Sequence, residues 1–506
     1  MIETVRQEPA KLFMLGLDSA SLPFIRANAE RLPFLASLVA DGTLADLASP
    51  ATHLSASVWP TFYSGRQPGV HGQYFPFQWS AEDATFRRIY HARWSEAFYV
   101  EPFWHRLARS GAATIAFDVA HVLHDERAPG LQITNWSYQS SGAATASDRQ
   151  VLKDIRRRFG RRPIGPEVPV PKSRRECVAI RDRLIAAVRA KADATLHLIE
   201  RPWDLFVTGW YEVHRAGHNL WPVEGEFASD APIDSMLAVY QETDRQLARV
   251  WAALERLGKA NLVLFTLHGM EPNRAQDHFL GEILRRLNAA HAGHPRDWAA
   301  KPSAPNLMAF LRRAVPPGVQ YRAAGLLGER IQDWVVNRAS VGGRNWRETP
   351  SFAMTSGGEG LIRLNIVGRE TPGHFQPGSA ELQAYVEWLC ARLLEIRVAE
   401  TGQRLVKAIH RADDLYAGPR RDFLPDLILE WAPEEPVTRI ASPDIGEIEV
   451  ALATGRGGNH NDLAFAVARG EAALHDAVRS ARAITDLAGV AEGFVLSAGN
   501  APAGVH

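Results

Sequence analysis

Cysteine is close to absent: Cys177 and Cys390 are the only two in 506 residues. Two are too few for a disulfide framework or a thiolate cluster, so any metal must rest on His, Asp, Glu or hydroxyl groups. Net charge is absent too. Lys plus Arg and Asp plus Glu number 57 each, which leaves no overall field to draw a nucleic-acid polymer or an anionic membrane. No stretch reaches the ~18 uninterrupted apolar residues of a membrane span. The opening MIETVRQEPAKLFMLGLD lacks a long apolar run with a small-residue cleavage site, so no signal peptide is expected. The expectation is a soluble, cytoplasmic protein whose oligomeric state is not legible.

What is present is the make-up of a globular chain, 46% hydrophobic and 23% charged, long enough for one large α/β domain with insertions. Apolar runs of strand length recur at Leu12 to Leu17, Thr114 to Phe117, Leu205 to Thr208, Leu262 to Thr266, Leu427 to Leu429 and Leu463 to Ala468. Helical patterns lie between several of them, at Leu32 to Ala40, Ile180 to Glu200, Ser235 to Leu257 and Leu382 to Ala399. This alternation predicts an α/β fold around one mostly parallel sheet, covered on both faces. Such sheets bind ligands beyond the carboxyl ends of their strands, so the residues just after each run are the place to look. Three stretches read as insertions. Residues 73–99 are aromatic and interrupted, suiting a lid or substrate-facing loop; 148–176 are rich in Arg and Pro and suit an exposed excursion; 271–347 read as helical segments with Pro breaks. Flexible termini are expected at 1–7 and 500–506, leaving 8–499 as a single domain.

Asp18 directly follows the run LFMLGL, where an Asp either caps a helix or faces a cleft. The segment THLSASVWPTFYSGRQPGVHG, Thr52 to Gly72, suits a loop entering a helix, and unpaired N–H groups at a helix start favour a phosphate. Its hydroxyls, Thr52, Ser55, Ser57, Thr61 and Ser64, compete for any nucleophilic role, and the residues alone do not rank them. GWYEVHRAGHN follows the run DLFVT. Within it His214 and His218, four apart, share one face of a helix, a spacing that suits zinc. His268 stands just beyond LVLFT, and His460 lies in the Gly-rich GRGGNHNDLAFAVARG. Singly each reads as a structural histidine. Together they sit beside strand boundaries of one predicted sheet.

The ordered set resembles the alkaline phosphatase superfamily, in particular its nucleotide pyrophosphatase/phosphodiesterase branch and related phosphohydrolases and phosphomutases. GLDSA is similar to the stretch carrying the family's metal-binding Asp. LSASVWPTFYSGRQPGVHG is similar to the nucleophile motif, in which a Thr or Ser lies ten residues before the Gly of a TG or SG pair. Gly65 is that Gly, so the resemblance selects Ser55. EVHRAGH resembles the family's ligand pair, and GNHNDLAFAVARG its late GxH motif. The resemblance implies an alkaline-phosphatase-like three-layer αβα sandwich with inserted lid or helical segments. It implies two divalent metal ions, zinc by preference, and a small phosphorylated substrate. The implied ligands are Asp18, Ser55, His214, His218, His268 and His460, with Asn459, His53 and Glu212 as candidate substrate-binding or orienting groups. His71, in the PGVHG turn, is expected to be structural.

The family has Asp where this chain has His214, and an Asp–His pair where it has Leu267 and His268. His214, His218 and His460 would make a three-imidazole site with an open position, suited to a catalytic zinc. Asp18, His268 and Ser55 would make the second site, completed by water or by Glu271, and weaker because Leu267 offers no ligand atom. The implied reaction is phosphoester hydrolysis of the phosphodiesterase kind through a phospho-Ser55 intermediate. Transfer to an alcohol, as in a phosphotransferase or phosphomutase, shares that intermediate. A degenerate member that binds a phosphorylated ligand without turnover is the other rival. A sulfatase would need a C/S-x-P-x-R motif, whereas Ala56, Ser57, Val58 and Trp59 follow Ser55.

Overall fold

Every residue of LFMLGL except its glycine is large and apolar, so this strand must be covered on both faces. A computed structural model describes residues 11–497 apart from 91–95, 124, 126–127, 138–142, 166, 168–171, 222–230, 259–260, 295–328, 342–343 and 451–454. In it Leu12–Leu17 is buried along its whole length at the middle of an eight-stranded sheet. In spatial order the strands are Thr43–Leu47, Ala464–Arg469, Leu262–Thr266, Leu12–Leu17, Leu205–Trp210, Thr114–Phe117, Leu131–Thr134 and Thr145–Ala146. The five from Leu262–Thr266 to Leu131–Thr134 pair in parallel. The strand Ala464–Arg469 enters antiparallel to both its neighbours, and Thr145–Ala146 closes the far edge antiparallel.

The period of two along a strand decides what covers each face. Phe13 and Leu15 meet Leu247, Val250, Trp251 and Leu254 of the helix Ser235–Arg256. On the opposite face Gly16 leaves room for Trp59 of the helix Val58–Ser64, whose ring carbon would lie 2.6 Å from a Cβ there. Helices therefore lie on both faces, giving the three-layer α/β arrangement expected from the alternation. The helix expected from Ile180 starts earlier, at Arg174, because Ser173 and Glu176 form a capping box that satisfies the first backbone donors.

One strand expected in this sheet lies elsewhere. Leu427–Trp431 belongs to a second, antiparallel sheet, in the order Ser351–Ala353, Gly360–Leu364, Leu427–Trp431 and Val406–Arg411. Its two faces are buried against different cores. Ile362, Leu364, Leu427 and Leu429 join a cluster with the helices Leu280–His291 and Ala380–Glu395, while Leu361 and Ile428 join Tyr74, Trp79 and Phe86. An apolar run buried on both faces looks the same in either kind of sheet, which is why the run at Leu427 was not distinguishable.

The stretch 73–99 supplies Tyr74, Trp79, Phe86 and Phe98 to buried clusters, and its short hairpin Phe77–Ser80 with Thr85–Arg88 packs beside the second sheet. Burying those aromatics supplies the stabilisation that a free loop would forgo. The stretch 148–176 holds the helix Arg149–Phe159 and returns Glu167 to the interior, where Arg456 pairs with it at 2.6 Å. Within 271–347 the helices Leu280–His291 and Glu329–Ser340 are formed; the remainder from 295 to 328, like the termini 1–7 and 500–506, lies outside the described residues.

Candidate functional site

Parallel pairing puts the carboxyl ends of neighbouring strands on one rim. Asp18 leaves Leu12–Leu17 there, and Ser19 turns the chain away with φ 55°. Leu267 and His268 leave Leu262–Thr266, and the helix Glu212–Leu220 begins two residues after Leu205–Trp210. His214 and His218 stand one turn apart on that helix. His460 arrives by another route: the strand Gly458–Asn461 pairs antiparallel with Gly269–Pro272, setting His460 opposite Met270. Gly458 passes so close to the helix that a Cβ would stand 2.6 Å from the Gly217 carbonyl oxygen. Glycine is required at that crossing, and it brings the ribbon within reach of both helix histidines.

Four imidazoles and one carboxylate converge. The His214 Nε2 atom lies 2.8 Å from His218 Nε2 and 3.0 Å from His460 Nε2. Among the described residues these three histidines are the one His/Cys/Asp/Glu group gathered closely enough to share a metal ion. The His268 ring centroid is 4.2 Å from that of His460, and His268 Nε2 is 3.5 Å from Asp18 Oδ1. Asp18 links the groups: Oδ2 meets His214 Nδ1 at 2.5 Å, and Oδ1 accepts from Trp59 Nε1 at 2.9 Å.

The outer partners decide where the protons sit. His218 Nδ1 is 2.8 Å from the Gly458 carbonyl, which only accepts, so Nδ1 carries the hydrogen and Nε2 of the neutral ring is bare. Burial would raise the Asp18 carboxyl, but His214, His268 and the Trp59 donor hold it below its usual range. As an anion it takes the hydrogen of His214 Nδ1, so that ring turns Nε2 toward His218 and His460. A bare His218 Nε2 held 2.8 Å from His214 Nε2 needs a proton or a metal ion between the two nitrogens. Burial first, then Arg456 and neighbouring imidazoles, keep His218 well below the usual histidine pKa; burial and the other three histidines do the same to His460. Burial also lowers His268, against the pull of Asp18. Charging His218, His268 or His460 is thus disfavoured, whereas a metal ion would draw on imidazole lone pairs. Ligands at zinc bond lengths of about 2.0–2.1 Å sit roughly 3.3 Å apart in a tetrahedron, so His214 need separate from His218 and from His460 by only a few tenths of an ångström. The donor set fits one such ion. His460 Nδ1 is buried without a hydrogen-bond partner, so no outer group fixes the tautomer of that ring.

Ser55 begins a short turn, Ser55–Ser57, that feeds the helix carrying Trp59, and Trp59 ties this segment to Asp18. The Ser55 hydroxyl donates to Glu359 Oε1 at 2.5 Å, and the same oxygen accepts the Ser55 N–H at 2.9 Å. The other Glu359 oxygen accepts from Gly357 N at 2.8 Å, which stops the carboxylate from turning away. Gly357 and Gly358 permit this approach: a Cβ at Gly357 would lie 3.3 Å from Ser55 Oγ, and one at Gly358 would lie 2.4 Å from Asn459 Nδ2.

The remaining predicted residues are dispersed. Asn459 adjoins Gly358, and its side-chain oxygen accepts from His460 N. Glu212 is buried behind the helix start; burial pushes its carboxyl up to about 7 against Lys191, and Oε1 has no hydrogen-bond partner. His53 packs edge-on against His410 at 4.5 Å. Glu271 lies beside Arg274 at 3.6 Å and within 3.5 Å of Asn461 Nδ2. His71 is buried between Thr61 and the Gln73 backbone, and burial lowers its pKa to about 3. Leu267 is 1% exposed within the main core. Glu359 escaped sequence reasoning because it precedes its strand and belongs to no recognised motif. Arg456, held by Glu167, carried one usable signal: it is the basic residue of the Gly-rich loop leading to His460.

Comparison with known proteins bears on the family and the fold. Residues 12–324 match the family described as type I phosphodiesterase / nucleotide pyrophosphatase. Phosphonoacetate hydrolase from Sinorhizobium meliloti 1021, in complex with phosphonoacetate, superposes with a TM-score of 0.50 at 14% identity, covering 96% of each chain. Murine ectonucleotide pyrophosphatase / phosphodiesterase 5, as an inactive variant in complex with AMP, gives 0.50 at 12% identity, over 96% of this chain and 95% of that one. At such identities the likeness concerns the fold. No curated protein sequence matches the chain. The family match spans more than half of the sequence and contains Asp18, Ser55, His214, His218 and His268, so the chain belongs to the type I phosphodiesterase / nucleotide pyrophosphatase family, phosphoester hydrolases of the alkaline phosphatase superfamily.

Proposed function

We propose that this protein hydrolyses small phosphodiesters at Ser55 through a phosphoserine intermediate, with a divalent metal ion, zinc by its ligands, at His214, His218 and His460. Members of the family use divalent metal ions. One observation carries the reading: imidazole nitrogens of three histidines face one another beside Asp18, on the same rim as a serine whose hydroxyl donates to a carboxylate. A metal ion held by the three imidazoles supplies Lewis-acid charge and lowers the pKa of a water.

Glu359 Oε1 takes the Ser55 proton as Ser55 Oγ bonds to phosphorus and the ester oxygen departs. Gly357 N holds Glu359 in place for that transfer, and Trp59 and Asp18 orient His214. Water then attacks the phosphoserine: its oxygen bonds to phosphorus and gives one proton, through solvent, to the departed ester oxygen, the bond from Ser55 Oγ to phosphorus breaks, and Glu359 returns its proton to Ser55. A second divalent ion is expected to bind more weakly at Asp18, His268 and Ser55, since Leu267 provides no ligand atom.

Leu267, embedded in the core, favours one other reading, a member that binds a phosphorylated ligand without turnover. Metal analysis combined with hydrolysis of bis-p-nitrophenyl phosphate and p-nitrophenyl phosphate decides between them. Turnover with diester preference, lost in Ser55→Ala with metal content kept, supports the proposal. A metal-loaded protein without turnover on either ester overturns it. Products that change with an added alcohol acceptor would instead make the protein a phosphotransferase.

A further inference from the structure

A cavity of about 1480 Å³ lies between the hairpin of residues 77–88, the helix Leu280–His291 and the second sheet. Part of its wall is the loop beside the nucleophile. Ser356 lines it, one residue before Gly357, where a Cβ would stand 3.3 Å from Ser55 Oγ. Asp277 lines it too, and burial, then the charge of Glu359, push that carboxyl up to about 6. Phe77 and Phe86 give the cavity apolar surface, as expected of a site for an organic group.

The charges in the wall are not all alike. Arg88 is paired with Asp333 at 2.6 Å and Arg285 with Glu282 at 2.6 Å. Arg344 is different. Its guanidinium carbon lies 5.9 Å from the Trp346 ring centroid and 6.0 Å from that of Phe352, and among the described residues no carboxylate, carbonyl or hydroxyl accepts from it. Burial holds its pKa below the usual arginine value with no charged group offsetting it. The faces of the aromatic rings attract the guanidinium, while its N–H donors stay available to a planar or tetrahedral anion. A half-buried cation without a counter-ion is costly to keep, and a bound anion would remove that cost.

We propose that this cavity receives the organic group of the substrate ester and that Arg344 binds a second anionic group on it, a carboxylate or a phosphate. The assignment rests on Ser55 being the nucleophile, and it narrows the substrate to esters with a second negative charge beyond the reacting phosphorus. Phosphoryl groups without such an extension would leave Arg344 unused.

The test uses the metal-loaded full chain and inhibitors of graded length: alkane-1,ω-diol bisphosphates and ω-carboxyalkyl phosphates, each against the monophosphate of the same chain length. All compete with hydrolysis of bis-p-nitrophenyl phosphate, and calorimetry measures their binding directly. For at least one length, the doubly anionic compound is expected to bind ten-fold or more tightly than its monophosphate. Arg344→Gln should abolish that advantage, and Arg344→Lys should restore part of it. Comparing the bisphosphate and carboxylate series shows which anion the seat prefers. No advantage at any length, or an advantage that survives Arg344→Gln, overturns the proposal. Arg344-dependent binding in a protein that hydrolyses no ester sinks the hydrolase reading and leaves the anion seat standing.

Discussion

The two sheets serve one site in different ways. In the central sheet the strands pair in parallel, so Asp18, His268 and the helix bearing His214 and His218 all emerge on one rim. Their places follow from topology, because every parallel strand ends on the same side. The antiparallel sheet has no such common end. It contributes Glu359 from a loop just before Gly360–Leu364, and that loop reaches Ser55 because two glycines allow close approach. Asp18 and His268 stand at strand ends, and the carboxylate facing Ser55 comes from a contact between sheets.

The comparison is broken hardest at Ser55, where both contributions meet. Ser55→Ala is expected to lower turnover by about 10⁴-fold or more, with metal content nearly unchanged by elemental analysis. A smaller loss would remove Ser55 from its role. Each region also has its own buried ion pair, Lys191 with Asp118 in the first and Arg363 with Glu370 in the second. Asp118→Ala or Glu370→Ala strands a buried cation and should cost about 3–5 kcal/mol in urea unfolding. If only one of the two costs that much, the sheets are not equally rigid supports.

Next in size is Glu359→Gln, which keeps the shape and removes the negative charge facing Ser55. We expect kcat to fall by roughly 10²–10³-fold with KM little changed, and Glu359→Asp to recover part of it. Equal losses in the Gln and Asp variants would reduce Glu359 to a structural anchor. Asp18→Asn should weaken metal affinity by about 10–100-fold, since the amide does not hold His214 Nδ1 as the carboxylate does; competition with a chelator measures it. Retained affinity would mean that the imidazoles are positioned by the helix alone.

A separate effect concerns pH. His71 is buried neutral with its pKa near 3, against about 6.5 in an unfolded chain. Between those values the unfolded state binds a proton that the folded state does not. Stability therefore falls as pH drops through that window, by up to ~1.4 kcal/mol per unit from this residue, and is insensitive to His71 above it. His71→Gln should flatten the acid limb of a plot of unfolding free energy against pH. An unchanged slope would place the titration elsewhere.

Some of the site was written in local pattern. Asp18, His214, His218 and His268 follow apolar runs that could only be strands, and a shared rim follows once those strands are parallel. His460 was legible as a member of the set, but its ribbon with Gly269–Pro272 was not, since pairing two distant four-residue segments leaves no periodic trace. The aromatic stretch after Gln73 read as a lid or substrate-facing loop because it lacks a clear period. Burial of Trp79 against Phe352 and Phe86 shows that its order comes from tertiary packing.

Strand and helix periods, the histidine spacing on one helix and the lack of thiolates were properties of neighbouring residues, so short windows of chain sufficed to reveal the α/β layering and the kind of ligand. The contact between Ser55 and Glu359 joins positions 304 residues apart. It exists because two separately stabilised sheets dock with glycine backbone between them, and no local regularity encodes how such bodies meet.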